Sequence, residues 1–195
     1  MISAIVLAAG LSSRMGRNKL LLTFRNKSLI AHAVDTLLVA ELDEVIVVLG
    51  HEADKLQEQL EGKPVKLVFN PDYRSGQSTS VRIGVSAVSS QATAILIYLA
   101  DQPLLEAGDI NRLVRALVRA KETGKSIVVP FYQGQRGNPV ILDITHRDAI
   151  LEVVGDVGCK QVIKRHPGQV LSVEMESDHV VRDVDTLEEF RALES

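Results

Sequence analysis

Short apolar runs alternate with helix-like stretches along this 195-residue chain, and that alternation restricts the fold more than any other feature. Residues 2–9, 44–49, 65–69, 94–99 and 127–130 are rich in Ile, Val, Leu and Ala. Their length and their bounding turn residues read as strands buried on both faces. Between the first two, residues 28–39 place Ile30, Ala33, Val34, Leu37 and Leu38 on one helical face. Residues 52–60, 78–88 and 108–123 are helix-like as well. Alternating strands and helices predict a mostly parallel sheet with helices on both sides, a single-domain three-layer α/β/α architecture. Ligands of such sheets bind at the carboxyl ends of the strands. The loops at 10–19, 70–77 and 100–104 leave strands at that edge, so three distant segments are expected to converge on one crevice.

The first of these loops is the most chemically specific. The strand at 2–9 ends at Gly10 and continues as Leu11-Ser12-Ser13-Arg14-Met15-Gly16-Arg17-Asn18-Lys19. Glycine lets a ligand approach the backbone N–H groups, and Arg14, Arg17 and Lys19 bring positive charge, which together suit a polyphosphate. The order is neither G-x-x-x-x-G-K-[ST] nor G-x-G-x-x-G. A second feature is Asp101, in Ala100-Asp101-Gln102-Pro103, directly after the apolar run 94–99. A carboxylate there suits Mg²⁺, a hard ion that prefers oxygen ligands, and Pro103 biases Gln102 toward an extended conformation that aims Asp101 at the crevice. The alternative, a helix cap, is disfavoured because the next helix starts nearer Glu106. A third feature is Asp183-Val184-Asp185-Thr186. Strand alternation would set Asp183 and Asp185 on one face, and either could complete a metal site, with Asp185 preferred. Asp185 or Thr186 would equally make a good N-cap for the last helix. Finally, Gly76-Gln77-Ser78-Thr79-Ser80 opens a helix whose N-terminus favours hydrogen-bond acceptors, or is simply capped by Ser78 or Thr79.

Leu7-Ala8-Ala9-Gly10-Leu11-Ser12-Ser13-Arg14-Met15-Gly16 with Lys19 resembles the signature loop of the nucleotidyltransferases that make sugar nucleotides and molybdopterin nucleotides. Within that group the Ala-Ala-Gly form resembles the molybdenum cofactor cytidylyltransferases. The resemblance covers nearly the whole chain and implies a Rossmann-like sheet of the nucleotidyltransferase type. By that resemblance, Leu7, Ala8, Ala9, Gly10, Ser12, Ser13, Arg14, Lys19, Gly76, Gln77, Ser78, Ser80 and Asp101 bind the nucleotide. Arg14, Lys19 and Asp101 carry catalysis, and Asp101 with Asp185 holds Mg²⁺. Gly134–Val140 and 155–158 resemble two acceptor-side motifs, so Arg136, Gly137, Asn138, Pro139 and Asp156 are expected to face the acceptor, Arg136 through phosphate. Residues 1–130 then form the nucleotide-binding core and 131–195 the acceptor-side extension. Departures exist: Leu187 replaces the usual proline, Glu189 the usual aspartate, and Lys160 a commoner arginine. The implied reaction moves CMP from CTP to the molybdenum-molybdopterin cofactor and releases pyrophosphate. GTP or a sugar phosphate remains an alternative substrate, and a non-catalytic nucleotide- or cofactor-binding partner of a molybdoenzyme an alternative role. Transient contact with a molybdoenzyme or chaperone, and a monomeric state, are further expectations.

Composition narrows the rest. Net charge is −3 and aromatics make up 4% of the chain, without Trp, which argues against nucleic acid or an anionic membrane as partner. One cysteine, Cys159, permits no intrachain disulfide and suits a reducing compartment, and no signal peptide is evident, so a cytoplasmic location is expected. Cys159 reads as a packed small residue. The five histidines show no zinc spacing. Beyond residue 130 the sequence predicts a turn-rich break before Val140, short helices, and two late strands.

Overall fold

In the computed structural model, residues 1–12, 15–155 and 159–193 are described. Along the chain run β1 (Ile2–Ala8), β2 (Thr23–Phe24), β3 (Lys27–Ser28), α1 (Leu29–Leu38), β4 (Glu44–Leu49), α2 (Ala53–Glu58), β5 (Lys66–Phe69), α3 (Gln77–Ala87), β6 (Ala94–Leu99) and α4 (Ala107–Glu122). There follow β7 (Ile127–Tyr132), β8 (Gln135–Arg136), β9 (Val140–Asp143), α5 (Arg147–Leu151), α6 (Lys160–Arg165), β10 (Val170–Glu174) and α7 (Leu187–Ala192). The described residues build one central sheet in the order β10-β7-β9-β6-β1-β4-β5, with β8 added beside β7 and β2–β3 as a separate small hairpin. β1 pairs in parallel with both β4 and β6, β4 with β5, and β7 with β10. β9 is antiparallel to its neighbours β6 and β7. The sheet is therefore mostly parallel and mixed, as the alternation of elements requires.

Strand alternation supplies two cores, one on each face. Ala4, Val6, Val47, Leu49, Leu96 and Tyr98 face α1 and α4, whereas Ile5, Val48, Ile95 and Ile97 face α3 and α5. Removing such a side chain, Ile5→Ala for example, leaves a cavity that costs about 2–5 kcal/mol. α1 begins where Ser28 accepts a hydrogen bond from the Ala31 N–H, and α4 begins with a Glu106–Asp109 capping box. Asp101 therefore caps no helix. α3 starts one residue before Ser78, at a Gly76 with φ of 106°, and no side chain caps it. Glycine tolerates that backbone where other residues are strained.

The C-terminal third departs from expectation at one place. Only β10 is a late strand among the described residues. Residues 178–181 form a 3₁₀ turn, and 183–185 belong to no strand or helix. Their backbone groups are claimed by loops instead. The Asn138 N–H donates to Val180 O and the Val184 N–H to Asp101 O. Strand alternation therefore does not govern Asp183 and Asp185.

Candidate active site

A cleft of about 630 Å³ opens at the carboxyl ends of β1, β4, β5 and β6. Leu7, Ala9, Gly10, Leu11 and Ser12 form one wall, and Lys19, Leu20 and Asp185 a second. Leu99 and Asp101 contribute from the end of β6, and Tyr73, Arg74, Ser75, Gly76, Gln77 and Ser80 close the far side. The three loops read from the sequence thus meet in one place. Among the described residues, a Cβ on Gly10 would touch nothing within 4 Å, so they leave space beside that backbone for a ligand.

Lys19 is the centre of the charged end. Its ammonium donates to Asp101 Oδ2 at 2.6 Å, Val184 O at 2.9 Å and Asp185 Oδ1 at 3.0 Å. Burial acts to lower the Lys19 pKa, but the charges and hydrogen bonds of Asp101 and Asp185 outweigh it and the net shift is upward. Local structure fixes the residue at its base. The Lys19 N–H donates to Ser12 Oγ at 3.1 Å, and Asn18, 3% exposed, accepts from the Leu20 N–H and donates to His51 O. Asp101 is held from behind: its carbonyl accepts from Val184, and the Gln102 side-chain amide donates to Val180 O. Thr186, not Asp185, caps α7 in a box with Glu189, and the Asp185 carboxylate pairs with Lys19. Asp183 lines a separate hollow with Val181, Arg182 and Val184. Its pKa is raised by burial and by the nearby charges of Asp101 and Asp185.

Among the described residues, Asp101 Oδ1 and Gln102 Oε1 are buried without a hydrogen-bond partner, and of the two residues Asp101 lines the cleft. Among the described residues no three His, Cys, Asp or Glu side chains converge. A divalent ion would therefore rest on the Asp101 and Asp185 carboxylates plus ligand and water oxygens, a donor set that fits a hard cation such as Mg²⁺.

Other expected positions lie elsewhere. Ala8 is 1% exposed in the core layer, and Ser78 is buried with its N–H donating to Gly155 O, so neither lines the cleft. Arg136, Gly137, Asn138 and Pro139 do not line it either. Gly137 lies so tightly against Val180 that a Cβ would sit 2.5 Å from its carbonyl oxygen. Arg136 is half-buried beside Cys159, where burial lowers its pKa. Burial pushes the Cys159 thiol up to about 12 despite that cation, so the thiol is inert at neutral pH. Ser13, Arg14 and Asp156 lie outside the described residues.

The cleft also uses residues that composition did not flag. Gly50 permits the approach of β1 to the 73–75 turn, since a Cβ there would lie 2.7 Å from the Cβ atoms of Ala9 and Tyr73. Asn70, wholly buried, donates to Thr79 Oγ1 and Ser80 Oγ and accepts from the Asp72 N–H, fastening the turn to α3.

Residues 4–170 match the model of the MobA-like NTP transferase domain. The chain belongs to that family. Among relatives, nicotine blue oxidoreductase of Paenarthrobacter nicotinovorans is 31% identical, with 98% of this chain and 96% of that protein covered. Molybdenum cofactor cytidylyltransferase of Escherichia coli K12 is 27% identical over 97% and 93% of the two chains. Among solved structures, the Rv0371c homologue from Mycobacterium sp. strain JC1 superposes with a TM-score of 0.85 at 26% identity, covering 98% of this chain and 94% of that one. The manganese complex of Rv0371c from Mycobacterium tuberculosis H37Rv gives 0.79 at 26% identity, over 98% and 97%. The matched stretch runs from β1 to the start of β10, contains the glycine loop and Asp101, and ends before Asp185. Among the described residues, no helix is long and apolar enough to cross a membrane.

Proposed function

We propose that the protein transfers a nucleotidyl group from an NTP, CTP in preference, to a phosphate oxygen of the molybdenum-molybdopterin cofactor. The single observation that carries this reading is the grouping of Lys19, Asp101 and Asp185 in the same cleft as the open Gly10–Ser12 backbone. An acceptor phosphate oxygen attacks the α-phosphorus, the bond from that phosphorus to the bridging oxygen of the β-phosphate breaks, and pyrophosphate leaves with the electron pair. Lys19 and Arg14 bind the β- and γ-phosphates and neutralise charge on the leaving group. Asp101 and Asp185 hold Mg²⁺, which when bound supplies charge neutralisation at the α-phosphate. Backbone N–H groups of the glycine loop position the same oxygens, and no covalent protein intermediate is needed. Leu7, Ala9, Gly76, Gln77 and Ser80 surround the base and ribose. Arg136 and residues 137–139, with Asp156, serve the acceptor side. The protein works in the cytoplasm as a monomer that passes product to a molybdoenzyme or its chaperone.

Ala9 supports the choice of pyrimidine, because it lines the cleft and a methyl group there takes room that a glycine would leave for a purine. Ala9→Gly should therefore shift preference toward GTP in a competition assay, and an unchanged CTP:GTP ratio would remove this base rule. The similarity to a nicotine blue oxidoreductase supports a second reading, in which the cleft serves a redox reaction. One assay separates them. Pyrophosphate release is measured anaerobically with Mg²⁺, each NTP in turn, and molybdopterin-bound molybdate as acceptor. Acceptor-dependent release with CTP supports the cytidylyl reading, and release with GTP keeps the mechanism but changes the base. Absence of release with every NTP, alongside a change in the visible absorbance of nicotine blue added to the protein, selects the redox reading.

A further inference from the structure

The three contacts of Lys19 use all three protons of its ammonium group. No proton is left over for a phosphate. The oxygens around it, two from carboxylates and one from a carbonyl, are the kind of donors a divalent cation takes. Two carboxylates face this one ammonium, and Asp101 Oδ1 keeps an unused lone-pair face in a buried position. The triad alone therefore carries excess negative charge around a monovalent occupant.

We infer that Lys19 is a placeholder: its ammonium fills the cation position of the nucleotide-free protein and blocks divalent metal until nucleotide draws it away. This inference rests on the nucleotidyl-transfer reading of the site and sets an order of binding within it. A divalent ion and an ammonium cannot both sit within bonding distance of Asp101 Oδ2 and Asp185 Oδ1, because two cations would then share the same oxygens with nothing between them. A polyphosphate offers Lys19 replacement oxygens carrying more charge. When the ammonium leaves, both carboxylates lose its contact at once.

The backbone helps to transmit that exchange. The Lys19 N–H is tied to Ser12 Oγ, and Ser12 itself has a φ of 50°, a left-handed conformation in the wall that meets the ligand. Asn18 and Leu20 anchor the other side of the turn. The lysine stem can thus swing about a fixed base between carboxylates and ligand. By linkage, whatever factor nucleotide adds to metal affinity, metal adds to nucleotide affinity.

The test uses Mn²⁺ alone, without nucleotide, on the full chain. Free Mn²⁺ is followed by the loss of its electron paramagnetic resonance signal on binding, and each variant is checked by thermal unfolding. Wild type should bind weakly. Lys19→Met should bind at least about tenfold tighter, within the range typical of coupled sites, and Lys19→Gln should repeat the gain should the methionine variant fail to fold. Lys19→Arg, which retains a cation, should remain as weak as wild type. Adding Asp101→Asn to Lys19→Met should abolish the gain. Equal Mn²⁺ affinity in wild type and the neutral variants, or weaker binding in the variants, overturns the inference. The expected Mn²⁺ pattern without pyrophosphate release from any NTP would retain the placeholder and remove the transferase reading. Equal affinities with NTP-dependent release would do the reverse.

Discussion

At the scale of single residues, Asp101 has two jobs that can be separated. Its backbone carbonyl accepts from Val184 and its carboxylate from Lys19, so a substitution confined to the side chain leaves the backbone clasp in place. Asp101→Asn keeps the shape and removes the charge. We expect pyrophosphate release to fall by roughly 10²–10³-fold, the scale seen when one electrostatic contact to a transition state is lost, with the thermal midpoint nearly unchanged. Steady-state kinetics and a melting curve on one preparation check this, and retained activity would remove Asp101 from the mechanism. Asp101 was legible in the sequence because an isolated carboxylate after an all-apolar strand has few other uses. Asn18 and Gly50 were not legible, because their roles depend on neighbours distant in sequence: His51 O for one, and the side chain of Tyr73 for the other.

At the scale of elements, α3 shows how two local preferences compete. Gly84 sits inside the helix, where alanine would gain about 1 kcal/mol in helix propensity. Yet a Cβ there would lie 2.4 Å from Ile5 Cγ2, and Ile5 is fully buried in the central strand. Overpacking of that kind costs about 1–3 kcal/mol, so Gly84→Ala should lower stability in denaturant titration despite the better propensity. The last helix offers the opposite case. Thr186→Ala removes the α7 cap and should cost about 1 kcal/mol. It should also reduce turnover, because the capping box adjoins Asp185: Glu189 accepts from both the Asp185 and Thr186 N–H groups. Denaturant titration and pyrophosphate release measure the two effects separately. Elements with their own periodicity, such as α1 and β6, could be read directly from the chain. Residues 178–185 could not, since extended sequence with alternating polarity looks alike whether it pairs in a sheet or, as here, bonds to Asn138 and Asp101.

At the scale of the whole molecule, stability should respond to pH through two histidines far from each other. Burial lowers the pKa of His32, assisted by Arg25 and Lys27, although its Nε2–H donates to Pro103 O. Burial likewise lowers that of His146, assisted by His166, where Ser126 Oγ bridges His146 to Gln169. Both shifts are downward from 6.5, so below that pH the unfolded chain takes up protons that the folded chain resists. Stability is accordingly intact above about 6.5 and falls as the solution is acidified below it. The thermal midpoint should be lower at pH 5.5 than at pH 7.5, and a His32→Gln/His146→Gln double variant should flatten that slope. An unchanged slope would refute the assignment.

The charged triad spans the chain in another sense as well. Lys19 is separated from Asp101 by 82 positions and from Asp185 by 166. Synthesis at about 5–20 residues per second delivers the second carboxylate roughly 4–17 s after the first. Throughout that interval β1, β4, β5, β6 and the glycine loop have been synthesised, yet the second carboxylate that Lys19 contacts has not. The constellation is thus completed late in translation, and a polypeptide interrupted before residue 185 would carry a nucleotide-sized groove without the chemistry that goes with it.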